Sequence, residues 1–172
     1  EQELSATIYL DCTNSMASSP TKWKLAKTLT ASFAYIGLSQ DDRISIMDVH
    51  GEQAPYLYRK GKGHLHQMLQ YVEEIKAKES SLLFSEAALN HVQRKSSVSI
   101  VISDLLEPLD SVIHTLKIIQ ANRQQIYLLQ VLEEDEVNPS FDGDFMLIDS
   151  ETNQEVNVTV SDFTRKNYKE KM

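Results

Sequence analysis

A single cysteine, Cys12, in a chain of 172 residues excludes an internal disulfide and, with it, the disulfide-stapled secreted scaffolds. A reducing compartment fits that usage, and a cytoplasmic location is the expectation for this domain. Five glycines and four prolines exclude collagen-like and linker-like chains and point to long regular elements. Basic residues are in deficit: 17 Lys plus Arg against 25 Asp plus Glu leave a formal charge of -8. General phosphate-backbone binding is therefore not the purpose, and no nucleic-acid partner is expected. No apolar run reaches the length that crosses a bilayer, so a transmembrane segment is not expected here. The opening EQELSATIYL lacks the basic flank and apolar centre of a signal peptide. It enters a strand almost at once, which reads as a domain cut from a longer protein.

What is present is a globular composition, 41% hydrophobic and 24% charged, at a length that fits one domain over residues 1–172. Ala6 to Leu10 is a short β-prone run ending in the polar stretch DCTNSMASSP. A helix follows from Pro20 or Thr21 to Gly37, with Trp23, Ala26, Leu29, Phe33 and Ile36 on one face. Arg43 to His50 alternates as a strand, and APYLYRK reads as its hairpin neighbour at an edge. A helix over His64 to Lys76 places Leu65, Met68, Leu69, Val72 and Ile75 inward, and a shorter one lies within Ser81 to Val92 around Phe84, Ala87, Ala88 and His91.

SVSIVIS, residues 97 to 103, is a β-branched strand suited to burial on both faces; Leu109 to Ala121 is helical, and Gln125 to Leu132 reads as a further buried strand. Beyond it come the acidic loop EEDEVNPSFDGD, the strands FMLID and VNVTV around a turn, and a terminal helix in SDFTRKNYKEK. Strand and helix alternate throughout. Right-handed crossovers then give a doubly wound, mostly parallel α/β sheet with helices on both faces.

Ligands of such sheets bind beyond the carboxyl ends of the strands, above all where strand order reverses. Asp11, Thr13 and Ser15 follow the ATIYL strand at alternate positions, and Ser103 and Asp104 follow SVSIVI. If the two strands are neighbours, their side chains form an all-oxygen cluster suited to a hard cation such as magnesium. The alternative is that Asp11 and Asp104 are turn or capping residues, with Thr13 and Ser15 bonding the loop backbone.

DCTNSM directly after a strand resembles the metal-ion-dependent adhesion site of von Willebrand factor A domains. Further segments follow it in order: Asp41, Asp42 and Arg43 leading into a strand, ISDLLEPLD from Ile102 to Asp110, QVLEEDEV, the FDGD of Phe141 to Asp144, LIDSETNQEV and the closing RKNYKEKM. Over nearly its whole length this succession resembles the bacterial family called domain of unknown function 58, which contains such a domain. The resemblance implies a von Willebrand factor A-like, Rossmann-like fold. It also implies Mg or Mn held by Asp11, Thr13 and Ser15 of a first loop and Asp104 of a third. A Thr is expected in the second loop; this chain has Glu79, Ser80 and Ser81 there, so Ser81, a water or Glu79 takes that position. The resemblance further implies a larger bacterial protein, membrane-associated in some members. Its expected partners are a protein supplying an Asp or Glu to the metal, and a MoxR-type AAA+ ATPase.

No enzymatic activity is expected, because two-metal chemistry needs more converging carboxylates than Asp11 and Asp104. A hydrolase using Asp11 as nucleophile is the lesser reading. Cys12 points away from Asp11 and Thr13 by strand alternation and reads as buried. His64 and His66 do not share a helical face. GKGH, residues 61 to 64, lacks the full phosphate-loop pattern and reads as a turn with a helix start. Tyr56 and Tyr58 are expected on one face of an edge strand.

Overall fold

The β-branched and aromatic residues Thr7, Ile8 and Tyr9 stand at the middle of SATIYL, and this segment forms the central strand of the sheet. The computed structural model describes residues 4–51, 53–78, 80, 82–138, 143–148 and 155–160. The chain divides into two compact units, residues 1–131 and 132–172. In the first, β1 (Ser5–Leu10), α1 (Asn14–Ala17) and α2 (Pro20–Ser39) are followed by the hairpin strands β2 (Arg43–Asp48) and β3 (Tyr56–Lys60). Then come α3 (Leu65–Glu74), α4 (Phe84–Leu89), β4 (Val98–Ser103), α5 (Leu109–Ala121) and β5 (Gln125–Gln130).

Strand order is β3-β2-β1-β4-β5. β1 pairs in parallel with both β2 and β4, β4 pairs in parallel with β5, and β3 closes one edge antiparallel to β2. The fold is thus a mixed, mostly parallel, doubly wound sheet of Rossmann-like type. Alternation along the strands builds its two faces. Ile8, Leu10, Ile44, Ile46, Ile100 and Ile102 pack with Ala26, Ala34 and Leu38 of α2 and with Met68 and Val72 of α3. Tyr9, Met47 and Val101 face the other way, against Phe84, Ala87 and Ala88 of α4. Val112 and Ile119 of α5 join Phe84 and Val101 around a cavity of about 10 Å³, roughly the space of one water.

Several expected faces are rotated. The buried stripe of α2 is Lys22, Ala26, Thr30, Ala34, Gly37 and Leu38, while Trp23, Leu29 and Phe33 are half-buried and Ile36 is exposed. The cause is close approach of the helix to the sheet, which selects small side chains: a Cβ on Gly37 would lie 2.3 Å from Ile44 Cδ1. Leu69 of α3 likewise points outward. β5 is an outer strand of its sheet, so its side chains are largely exposed where a buried strand is expected, Tyr127 and Leu128 among them.

The hairpin edge forms as expected but carries a register shift between Ile44 and Ile46, with Tyr58 at φ 50°. Tyr56 packs on Tyr71 in the first core. The Tyr58 hydroxyl donates to Gln93, whose backbone amide bonds Tyr9 of the second, so the irregularity turns the two tyrosines to opposite faces. Gly61, at φ 84°, supplies the left-handed residue that turns GKGH into the start of α3.

In the second unit the acidic run is a short helix, α6 (Glu134–Val137), closed by a capping box between Glu133 and Glu136. β6 (Gly143–Ile148) and β7 (Glu155–Val160) form an antiparallel pair. The expected terminal helix at 161–172 lies outside the described residues.

Candidate functional site

Because Leu10 of β1 stands opposite Ile102 of β4, the residues that follow each strand emerge side by side. The chain runs from β1 to β2 on one side and later returns to the other side of β1 as β4, so this is the switch point of strand order. The Asp11 amide donates to the Ile102 carbonyl at 2.9 Å and extends the ladder by one residue. Both Asp11 carboxylate oxygens are engaged. Oδ1 accepts from the Thr13 amide at 2.9 Å and the Thr13 hydroxyl at 2.7 Å, and Oδ2 accepts from the Ser103 hydroxyl at 2.6 Å. Thr13 Oγ1 and Ser15 Oγ are 3.0 Å apart. The Thr13 proton is committed to Asp11, so Ser15 donates.

Asp104 is held in the same way. Its Oδ1 accepts from the Leu106 amide at 3.2 Å, Leu105 takes φ 56°, and the Leu105 amide donates to Ser103 Oγ. Its Oδ2 accepts from the Lys22 ammonium at 2.9 Å. The Lys22 side chain is fully buried and that of Asp104 is 5% exposed, which makes this an interior ion pair. Lys22 reaches it from the first turn of α2, where Ser19 caps the helix and Pro20 opens it. Glu107 completes the edge, accepting from the amide and the hydroxyl of Ser85 at the start of α4.

Burial and charge crowding act together on these groups. Burial raises the Asp11 carboxyl above its ordinary range, the Ser103 and Thr13 hydrogen bonds pull it back, and the Asp104 charge adds to the rise. Burial also raises Glu107 against its Ser85 bonds, with Asp11 and Asp104 adding to the rise. Asp48, at the end of β2, is raised by burial against a hydrogen bond from Tyr71. A carboxyl raised in the folded state binds its proton more tightly there than in the unfolded chain. Stability therefore increases as pH falls through the raised values and is fully gained below the ordinary ones. The melting temperature is expected to be higher near about pH 5 than near about pH 7, and the slope to flatten in an Asp48→Asn/Glu107→Gln variant. Thermal melts across that range check it; a flat wild-type profile refutes it.

A family described as protein of unknown function DUF58 matches this sequence over residues 1–172. The chain belongs to the DUF58 family. Among solved structures, the DUF58 chain is similar to an aerotolerance-related membrane protein from Bacteroides fragilis NCTC 9343 carrying multiple mutations to serines. Identity there is 15%, the TM-score 0.60, and the match covers 97% of this chain and 87% of that one. It is also similar to the conserved hypothetical protein BatB from Bacteroides thetaiotaomicron, at 15% identity and TM-score 0.59, covering 97% of this chain and 85% of that one. At such identity the likeness is one of fold. Comparison with curated proteins gives no match.

Of the residues that the sequence puts forward for a metal, the DUF58 structure brings together Asp11, Thr13, Ser15 and Asp104, while Ser81, like Glu79, lies outside the described residues. Sequence reasoning misses Glu107 and, with the larger consequence, Lys22. Its signal is positional: it stands four residues before Ala26 and eight before Thr30, on the stripe of α2 that faces the sheet. Among the described residues, no group of three or more His, Cys, Asp and Glu is placed to hold a metal ion. Both Asp11 oxygens and both Asp104 oxygens already accept from protein donors, one of them an ammonium. The described donor set of this DUF58 edge therefore fits a cationic side chain better than a divalent ion.

Cys12 is buried in the first core, bonds the Leu10 carbonyl, and has its thiol pushed well up, first by burial and then by Asp48 and Asp11; it is no nucleophile. No helix among the described residues is long and apolar enough to cross a membrane.

Proposed function

We propose that this chain is a non-enzymatic protein-interaction module of a bacterial, membrane-associated assembly, docking through the carboxyl edge of its sheet. The observation that carries the reading is the convergence of Asp11, Thr13, Ser15, Ser103 and Asp104 at the switch point between β1 and β4. Family membership and the description of a structural neighbour as a membrane protein support the setting. The module acts as a von Willebrand factor A-like domain over residues 1–172 of a longer protein, on the cytoplasmic side. Its partner is a MoxR-type AAA+ ATPase that presents an acidic side chain to the Thr13–Ser15 loop. An adhesion-type site would hold Mg or Mn on Asp11, Thr13, Ser15 and Asp104, with Ser81, to receive that carboxylate; the described donors suit that ion poorly, so the metal-free form is the one proposed. In that form, the Ser15 hydroxyl turns from Thr13 to receive the carboxylate.

Purified chain and the MoxR-type ATPase of the same genome are expected to bind saturably in an interferometric assay. Ser15→Glu should weaken that binding by about tenfold or more, because the added carboxylate opposes the incoming one. Equal affinity of Ser15→Glu and wild type sinks the docking edge. A second reading, a purely structural domain, is favoured by the burial of Asp11 and Asp104, which are 2% and 3% exposed. Absence of any binding by the wild-type chain selects it.

A further inference from the structure

Clustered carboxylates at the end of a sheet need a counter-charge, and in an adhesion-type site a divalent cation provides it. Here Asp11 senses the charge of Asp104, Glu107 senses those of Asp11 and Asp104, and the cation set against Asp104 is a side chain. The ammonium of Lys22 lies 2.9 Å from Asp104 Oδ2, with the whole lysine side chain buried. The pair joins residues 82 positions apart, so it is imposed by the fold and not by neighbourhood in the chain.

The route of the lysine stem shows the provision made for it. The stripe Lys22, Ala26, Thr30, Ala34 lies against the sheet, and its small members let α2 approach closely enough for the Lys22 stem to reach the far strand, β4, past the end of β1. Ser19 and Pro20 set the start of α2 three and two residues earlier, which fixes where that stem leaves the helix. Burying an ammonium is costly unless it is paired and hydrogen-bonded. Asp104 meets that need with one oxygen while its other oxygen accepts the Leu106 amide.

A divalent ion brought to Asp104 would meet the ammonium on the same carboxylate, and the two positive charges would repel at close range in a poorly hydrated interior. The Asp11 oxygens, each already bonded to Thr13 or Ser103, offer no relief. We infer that Lys22 is the resident cation of this cluster: its ammonium takes the place and the charge that an adhesion-type site gives to a divalent metal, and the edge is assembled without one. The inference concerns the edge itself and stands whether or not a partner docks there.

The test uses the chain alone with Mg²⁺ and Mn²⁺ as probes, read by thermal melting and by Mn²⁺ electron paramagnetic resonance. Wild type is expected to melt at the same temperature in chelator and in millimolar metal, with no saturable one-to-one Mn²⁺ binding. Lys22→Met removes the charge and keeps most of the stem volume, leaving the Asp104 carboxylate unpaired. Mn²⁺ should then bind and raise the melting temperature by about 5 °C or more. The gain should vanish in Lys22→Met/Asp104→Asn.

Saturable Mn²⁺ binding by wild type that is lost in Asp104→Asn overturns the inference, as does a folded Lys22→Met variant indifferent to Mn²⁺. If Lys22→Met fails to melt cooperatively, the neutral double variant decides. Cooperative melting restored without metal supports the assignment. A double variant as unstable as the single one overturns it.

Discussion

Asp104→Ala is expected to lower the stability of the fold by about 3–5 kcal/mol, among the largest effects available to a single polar substitution in this chain. The figure follows from what remains after the change. The Lys22 ammonium stays inside, its side chain fully buried, with the carboxylate that compensates it gone. It must then give up its proton or drag the first turn of α2 out toward water. The same substitution removes the acceptor of the Leu106 amide, so the loop after β4 loosens as well. Urea denaturation checks this as a fall in midpoint at unchanged slope. Adding Lys22→Met to Asp104→Ala should recover a large part of the loss, because replacing both members of a buried pair is far cheaper than orphaning one. A loss below about 1 kcal/mol for Asp104→Ala alone would show that the pair is solvated and that the site is looser than described.

Ile102→Ala is expected to cost about 2–5 kcal/mol. Ile102 is fully buried on β4, between β1 and β5, and packs in the core beneath α2. Its carbonyl also accepts the Asp11 amide, so the cavity left by truncation opens directly under the candidate site. Leu128→Ala on β5 is the matched control. That side chain is 44% exposed, and its removal should cost less than about 1 kcal/mol. Chemical denaturation of the two variants side by side checks the contrast. Similar losses would mean that β5 is covered, against the exposure found for it.

These two positions also show how far the sequence reaches. Strand and helix alternation yields the parallel architecture, and the Leu109–Ala121 helix is found with the bounds its periodicity assigns. The pairing of β1 with β4 enters the sequence reading as a condition. Once met, it brings Asp11, Ser103 and Asp104 together as the spacing requires. Legibility ends where tertiary packing overrides pattern. Apolar periodicity in α2 selects Ala26 together with the large residues Trp23, Leu29, Phe33 and Ile36, but a helix pressed close to a sheet needs small ones, so the buried stripe keeps Ala26 and runs on through Thr30 and Ala34. Lys22 falls on that stripe and is hidden by its own type, since lysine on a helix reads as solvated. The apolar run of β5 looks like an interior strand because composition does not record how many neighbours a strand has.

The bonds that build this edge have a consequence for synthesis on the ribosome. Ser103 to Asp11 spans 92 positions and Lys22 to Asp104 spans 82. A nascent chain carrying β1, both strands of the hairpin and the four helices before β4 therefore holds an acidic, hydroxyl-bearing loop after β1 and a lysine on α2 whose partners have not yet been made. Only when β4 and the loop after it have been made, and β4 has slotted in beside β1, do these two bonds close. Any partner that recognises this edge is thereby a proofreader of the finished sheet, blind to truncated or half-folded copies of the same protein.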